Sequence, residues 1–179
     1  MTDSLAQLVL AHLGNAELHR AMAAFFAEVD QSIARQNPVC RNRGACCCFD
    51  SFGHKLYVTG VELIYFVQGQ RAAWRDMPAQ KQACHPAGVC PYHVGGECTA
   101  RSHRPLGCRI FYCDPDTRDW QQAEYERRQG ELRRLGLRFG VDYRYVEWLS
   151  ALRELDGAIS PAIRVPSDGI DADGQGMIQ

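Results

Sequence analysis

All nine cysteines of this 179-residue chain lie between Cys40 and Cys113, and neither flank contains one. Such a density suits the disulfide scaffold of a secreted protein, but the number of cysteines is odd. Three of them are consecutive, from Cys46 to Cys48, and adjacent cysteines seldom meet the geometry of a disulfide bond. In a reducing compartment, clustered thiols indicate metal ligands or redox groups. We favour metal binding over the alternative of scattered buried thiols.

Composition excludes several other classes of protein. The first residues, MTDSLAQLVLAHLGNAE, lack the basic segment of a signal peptide, so we expect a cytoplasmic protein. No apolar run approaches the roughly 18–20 residues that span a bilayer, which predicts no membrane contact. The formal net charge of −1 argues against a nucleic-acid-binding protein. Residues 35–113 nevertheless carry ten basic and four acidic side chains, and nearby cations stabilise the thiolates that bind metals.

The cysteine spacing disfavours the commonest metal sites. The chain has no Cys-x2-Cys pair, which zinc ribbons and fingers use, and no ferredoxin-type run of four cysteines. The ligands therefore come from two distant segments, so the site would clasp parts of the fold together. Thiolate-rich sites select zinc, iron–sulfur clusters or copper(I). Because nine sulfurs exceed the needs of one tetrahedral ion, we expect an iron–sulfur cluster or iron, with zinc as the alternative.

Apolar periodicity predicts a mainly α fold with two irregular cysteine-rich loops. An apolar stripe over 18–33 predicts a helix capped by Asn15, which ends near Gln36 because Pro38 disfavours helix in the residue before it. Thr59 and Glu62 form a capping box for a helix that stops near Gly69. A further short helix is expected over 71–83.

Two helices are predicted after the cysteine segment. Asp116 or Thr117 caps a polar helix that runs toward Leu135, and its arginine pairs alternate with glutamates, which is typical of a salt-bridged surface. Asp142 is expected to open the last helix, and the residues after Asp156 are expected to form a disordered tail. We therefore expect one domain over 1–155, with N-terminal helices in 1–36, the cysteine cluster in 38–113, C-terminal helices in 116–155 and the tail in 156–179.

Two segments of the chain resemble the YkgJ-type cysteine-cluster family, which is described as zinc- or iron-chelating. They are CRNRGACCC, from Cys40 to Cys48, and CPYHVGGECTARSHRPLGCRIFYC, from Cys90 to Cys113. The stretch RPLGCRIFYC is the most specific part of the match. The family's second cysteine falls on Arg43 here, so the resemblance implies either that Cys48 or Cys84 replaces it or that the site has one ligand fewer.

The resemblance implies a set of site residues. The metal ligands it implies are Cys40, Cys46, Cys47, Cys90, Cys98, Cys108 and Cys113, with Cys48 and Cys84 less certain. Arg104 and Arg109 flank Cys108, where guanidinium groups donate hydrogen bonds to thiolates or hold an anionic substrate. Three histidines in the same segment are further candidate ligands: His85, His93 and His103.

Three functions remain open at this point. The first is a metal-binding cysteine cluster. The second is a metal-dependent enzyme, either redox-active or methyltransferase-like, since flagellin lysine N-methylases carry a similar cysteine pattern. The third is a zinc-stapled adaptor for protein or RNA. The sequence names no substrate and no protein partner.

Overall fold

A computed structural model describes residues 4–40, 45–50, 53–71 and 88–163. The helices are α1 (Leu5–His12), α2 (Ala16–Gln36), α3 (Gly60–Gly69), α4 (Leu106–Ile110), α5 (Arg118–Arg138) and α6 (Trp148–Ile163). The strands are β1 (Tyr57–Thr59), β2 (His93–Val94), β3 (Glu97–Cys98) and β4 (Tyr145–Glu147), which form two antiparallel pairs, β1–β4 and β2–β3. The prediction of a mainly α fold is confirmed.

Helix α2 begins and ends where the sequence predicts. The Asn15 side chain accepts a hydrogen bond from the Leu18 amide at 3.0 Å, which satisfies one of the free N–H groups of the first turn. The helix ends at Gln36, and Asn37 adopts the left-handed conformation, with φ of 51°. This conformation directs the chain away from the helix axis before Pro38.

Helix α3 is the central element of the fold. Its residues from Gly60 to Val67 are buried on every side, so it packs against neighbours all around. The predicted capping box is present: the carboxylate of Glu62 accepts hydrogen bonds from the amide and the hydroxyl of Thr59, both at 2.7 Å. The other oxygen of Glu62 accepts from the Leu106 amide at 2.8 Å. One buried carboxylate therefore joins the start of α3 to the start of α4.

The last helix begins later than predicted. Residues 145–147 form strand β4, which pairs with β1, and the Trp148 amide donates to the Leu56 carbonyl at 2.8 Å. Asp142 therefore precedes a strand and does not open the helix, which starts at Trp148. Backbone pairing with β1 satisfies the hydrogen bonds of these residues and overrides the helical pattern.

Helix α6 buries the apolar face that the sequence predicts. Its buried residues include Trp148, Leu149, Leu152 and Leu155. The helix continues to Ile163, beyond Asp156, where the tail was expected to begin. The structure does not describe the rest of that tail, residues 164–179. Residues 72–83 of the short helix expected over 71–83 also lie outside the described residues.

Helix α5 carries the predicted network of ion pairs. Arg127 contacts Glu124 and Glu131 at 2.7 and 2.8 Å, and Arg128 contacts the same two carboxylates at 3.0 and 2.7 Å. Arg128 is only 3% exposed, so its charge lies against the core and not on an open surface. None of the helices in the described ranges combines the length and apolar character needed to cross a membrane.

Candidate functional site

Five cysteine side chains line one small cavity of about 30 Å³. They are Cys46, Cys47, Cys90, Cys98 and Cys108. Aromatic residues from separate elements complete the wall: Phe66 of α3 meets the rings of Tyr92 and Trp148 edge-on, at 5.0 and 4.7 Å between centroids. These three side chains belong to the core, so the sulfurs border the protein interior.

Backbone hydrogen bonds bring the two cysteine segments together. The Cys90 amide donates to the Cys47 carbonyl at 2.8 Å, and the Phe49 amide donates to the Gly88 carbonyl at 2.8 Å. These bonds pair residues 47–49 with residues 88–90 in antiparallel fashion, and they place Cys47 and Cys90 at the same cavity. The segments that the sequence predicts to converge do so through their main chains.

A tight hairpin positions Cys98 opposite a histidine. His93 of β2 and Cys98 of β3 are paired across the hairpin, which turns at Gly95 and Gly96. Both glycines have positive φ values, 60° and 86°, which favour glycine at these positions. His93 Nε2 is buried and has no hydrogen-bond partner among the described residues. An unpartnered imidazole nitrogen beside thiols is a candidate metal ligand.

Helix α4 presents Cys108 to the cavity. The bond from Leu106 to Glu62 fixes the start of this helix. Gly107 lies so close to Leu56 that an added Cβ would stand 2.5 Å from the Leu56 Cδ1 atom. The absence of a side chain at Gly107 therefore lets α4, and with it Cys108, approach β1 closely.

The pKa values of the neighbouring residues Cys46 and Cys47 are shifted in opposite directions. Their sulfurs are 4.0 Å apart, and the hydrogen bond between them lowers the pKa of Cys46 to about 6 and raises that of Cys47. Burial opposes the lowering at Cys46, while the charges of Arg104 and His93 support it. Cys46 is therefore the thiol of this pair that ionises near neutral pH.

Two deeper thiols are held in the neutral form. Burial raises the pKa of Cys90 to about 11, although the Trp148 indole N–H donates to its sulfur at 3.5 Å. Burial also raises the pKa of Cys108 well above its ordinary value, and the nearby sulfurs of Cys90 and Cys98 raise it further. Without a cation, these two groups hold their protons at neutral pH.

The two arginines that flank Cys108 have different surroundings. Arg104 lines the cavity, its charge lowers the pKa values of Cys46 and Cys108, and its buried Nε has no partner among the described residues. Arg109 is 4% exposed and binds Asp30 at 2.8 Å and the carbonyl of Arg104 at 3.0 Å. Arg104 therefore faces the thiols, whereas Arg109 holds the backbone of Arg104.

The remaining predicted cysteines that the structure describes do not line the smaller cavity. Cys113 is exposed and lines a second, larger cavity. Cys40 is exposed and follows Val39, whose amide donates to the carboxylate of Asp114 at 2.9 Å. Cys48 forms a backbone bridge with Val89. Cys84 lies outside the described residues.

The other two candidate histidines are His103, which does not line the cysteine cavity, and His85, which lies outside the described residues. The ring of His103 packs at 5.2 Å from Tyr65, and its Nδ1 lies 3.3 Å from the Gln70 side-chain nitrogen. His85 belongs to the segment that the structure does not describe. His93 is therefore the candidate histidine that the structure places in the hairpin with Cys98.

The side chains as they stand do not form a ready coordination sphere. In residues 4–40, 45–50, 53–71 and 88–163, no three His, Cys, Asp or Glu side chains are arranged so that they would hold a metal ion. The donor set itself fits a soft metal, because several thiols and the unpartnered nitrogen of His93 are the ligands that zinc and iron prefer. Binding would therefore require the sulfurs to close around the ion.

Comparisons with known proteins identify no relative. No family model, no curated protein and no solved structure matches this chain. The resemblance to the YkgJ-type family stays a prediction from the cysteine pattern, and function is argued from the geometry of the site.

Proposed function

We propose that this protein binds a metal ion through the thiolates of the cysteine cluster, defined as Cys46, Cys47, Cys90, Cys98 and Cys108. The observation that carries the proposal is that five cysteine residues line one cavity. Cys46 and Cys47 belong to the 45–50 segment, whereas Cys90, Cys98 and Cys108 follow at least 43 positions later, before β2, in β3 and in α4.

The size of the cavity favours one ion over a large cluster. The cavity measures about 30 Å³, so a single ion displaces fewer of the surrounding side chains than a cluster of several metals and sulfides does. This favours a single iron or zinc ion over the multinuclear iron–sulfur centre that the number of cysteines suggests. Sulfur ligands select zinc and iron over calcium and magnesium.

The chain's own residues have distinct tasks in such a site. Cys46 supplies a thiolate at neutral pH, while Cys90 and Cys108 lose their protons when the metal binds. His93 offers a nitrogen ligand, and Arg104 offers an N–H to a thiolate. A bound zinc or iron would act as a Lewis acid at this position.

Metal content of serine variants tests the proposal. The protein is purified without oxygen, reconstituted with Zn²⁺, with Fe²⁺, or with Fe²⁺ and sulfide, and analysed for metal per chain. We expect Cys98→Ser and Cys108→Ser to lower metal affinity by at least about tenfold, because a hydroxyl is a poor substitute for a soft thiolate. Cys48→Ser is the matched control. Cys48 lies in the same run of cysteines but is not one of the described residues that line the cavity, so this variant should keep the metal.

Two results would contradict the proposal: a wild-type protein that takes up neither metal, or an equal loss in all three variants. The visible spectrum separates the metals, because zinc protein is colourless and an iron–sulfur protein is brown. A brown product with several irons per chain would restore the multinuclear centre and overturn the argument from cavity size.

A further inference from the structure

A second cavity, of about 520 Å³, adjoins the cysteine cluster. Its volume lies within the range of about 300–1,000 Å³ that is typical of small-molecule sites. Aromatic rings make up much of its wall: Phe49, Tyr57, Phe111, Tyr112, Tyr125 and Tyr145. These residues come from the 45–50 segment, β1, the residues that follow α4, α5 and β4, so the cavity forms only in the folded chain.

The aromatic wall is ordered by its own contacts. The rings of Tyr57 and Tyr145 stack at 5.3 Å with an angle of 21° between their planes, and Phe111 and Tyr125 lie 5.0 Å apart. The hydroxyl groups of Tyr125 and Tyr145 are hydrogen-bonded at 3.0 Å. Phe111 is nevertheless 44% exposed and Tyr145 43% exposed. Stacked rings that remain open to solvent provide flat surfaces for another flat ring.

Lys55 gives this cavity a place for an anion. Lys55 and His54 line it, no Asp or Glu does so among the described residues, and Cys46, the thiol that ionises near neutral pH, lies on the wall shared with the smaller cavity. The ring of His54 packs edge-on against Phe49 at 5.2 Å, which places the imidazole beside the aromatic wall. The cavity therefore combines flat apolar walls with a positive charge at Lys55.

The two cavities share part of their walls. Three residues line both cavities: Cys46, Phe49 and Cys108. Cys113 lines the larger cavity but not the smaller one. A molecule in the larger cavity would lie against two sulfurs of the cysteine cluster.

We propose that the larger cavity binds a planar aromatic molecule that carries an anionic group, with its ring against the tyrosines and its charge toward Lys55. The proposal goes beyond metal binding, and only the position of this ligand beside a metal rests on the proposed function. In that position the ligand would be next to the proposed metal site, because Cys46 and Cys108 line both cavities.

Two fluorescent probes with the same ring system test the proposal. Anilinonaphthalene sulfonate is aromatic and anionic, and phenyl-naphthylamine is its neutral counterpart. Both are titrated into the full-length protein, with and without metal. Phe111→Ala should weaken both probes by about threefold or more, because it removes part of the aromatic wall. Tyr143→Ala is the matched control, since Tyr143 is an equally exposed aromatic residue that does not line the cavity.

The charge is tested separately. Lys55→Glu should weaken the sulfonate by about threefold or more and leave the neutral probe unchanged, because only the sulfonate interacts with the lysine charge. Arg20→Glu, an equal charge change at an exposed site on α2, should alter neither. Thermal unfolding confirms that each variant is folded, and Phe111→Tyr should restore affinity if the aromatic ring is the group that binds.

Three results would overturn the inference: no probe binding to the wild type, equal affinities for Phe111→Ala and the wild type, or an equal loss in Tyr143→Ala. Probe binding that follows the expected pattern in protein that takes up no metal would support the cavity and refute the metal proposal. Metal uptake without probe binding would support the metal proposal and refute the binding of an aromatic anion in the larger cavity.

Discussion

Cys46 and Cys47 show how much a single neighbour changes the chemistry of a thiol. The two side chains are adjacent in the chain, yet one has a pKa of about 6 and the other a raised pKa. A thiol that donates a hydrogen bond to a thiolate stabilises the ionised partner and holds its own proton more tightly. Cys46 is also exposed, so its thiolate meets solvent.

Alkylation of the metal-free protein tests this difference in acidity. Only the thiolate reacts with iodoacetamide, so the rate at Cys46 should rise with pH through a midpoint near 6. Cys47→Ala removes the hydrogen bond and should move the midpoint toward the ordinary value of about 8.5, while the rate at pH 7 falls by only about threefold because a less acidic thiolate is a stronger nucleophile. Peptide mapping by mass spectrometry measures the rate at each cysteine.

Cys48→Ala is the control for this experiment, because Cys48 is the next residue in the run and makes no hydrogen bond to Cys46 among the described contacts. An unchanged midpoint in Cys47→Ala, or the same shift in Cys48→Ala, would show that the low pKa has another cause.

At this scale the sequence predicts the residue types of the site better than their arrangement. The two cysteine segments stand out because no helix or strand pattern covers them. Trp148 and Phe66 give no such signal: their apolar spacing predicts core residues, and both are core residues that also border the thiols. Contacts such as the one from Trp148 to Cys90 join distant positions and cannot be obtained from local patterns.

Among the secondary-structure elements, the join between α3 and α4 depends on Glu62. Its carboxylate accepts three hydrogen bonds, from two groups of Thr59 and from the Leu106 amide, while its side chain is buried. We expect Glu62→Gln to lower the free energy of unfolding by about 1–3 kcal/mol, because either orientation of the amide places an N–H against a backbone N–H. Urea denaturation measures the change.

The same variant has a defined pH dependence. Burial raises the pKa of Glu62, so the folded protein keeps this proton to a higher pH than the unfolded chain does. The wild type therefore loses stability relative to Glu62→Gln as the pH rises from the ordinary pKa of the carboxyl toward its folded value. Exposed Glu17→Gln is the control and should stay within about 0.5 kcal/mol of the wild type at each pH. If the stability advantage of the wild type over Glu62→Gln grew as the pH rises, the result would contradict a raised pKa of Glu62.

Elements with a strong local signal are predicted well, and those without one are not. The Thr59–Glu62 capping box locates α3, and the Asn37–Pro38 pair locates the end of α2. Helix α4 has only five residues, too few to show a helical period, so its segment looks irregular in the sequence. Strand β4 forms because β1 is available to pair with it, which is a tertiary effect.

At the scale of the whole molecule, the metal would add to the packing by which the cysteine segments join the core, where Cys47, Cys90 and Leu106 are already buried. Helix α2 keeps its own buried residues, including Met22 and Val29, which are fully inaccessible to solvent. The cysteine segments are joined by a few backbone bonds, such as that from Cys90 to Cys47. Stability in such a fold is expected to differ between regions.

Chelation should therefore loosen the molecule locally. When metal is removed, we expect faster hydrogen exchange at the amides of residues 45–50 and 88–113, while α2 keeps its protection because its packing does not involve the ion. Native-state exchange followed by mass spectrometry measures this. The same protein with metal restored is the control. A uniform loss of protection across α2 and α6 would show that the metal is part of the core of the whole fold.

The contact between Trp148 and Cys90 also sets an order of events during synthesis. The tryptophan lies 58 residues after the cysteine it covers. At about 5–20 residues per second, a ribosome adds Trp148 roughly 3–12 s after Cys90. Throughout that interval the indole that donates to the Cys90 sulfur is not yet present. The Cys90 thiol therefore meets the ions and oxidants around it before the last helix can cover it.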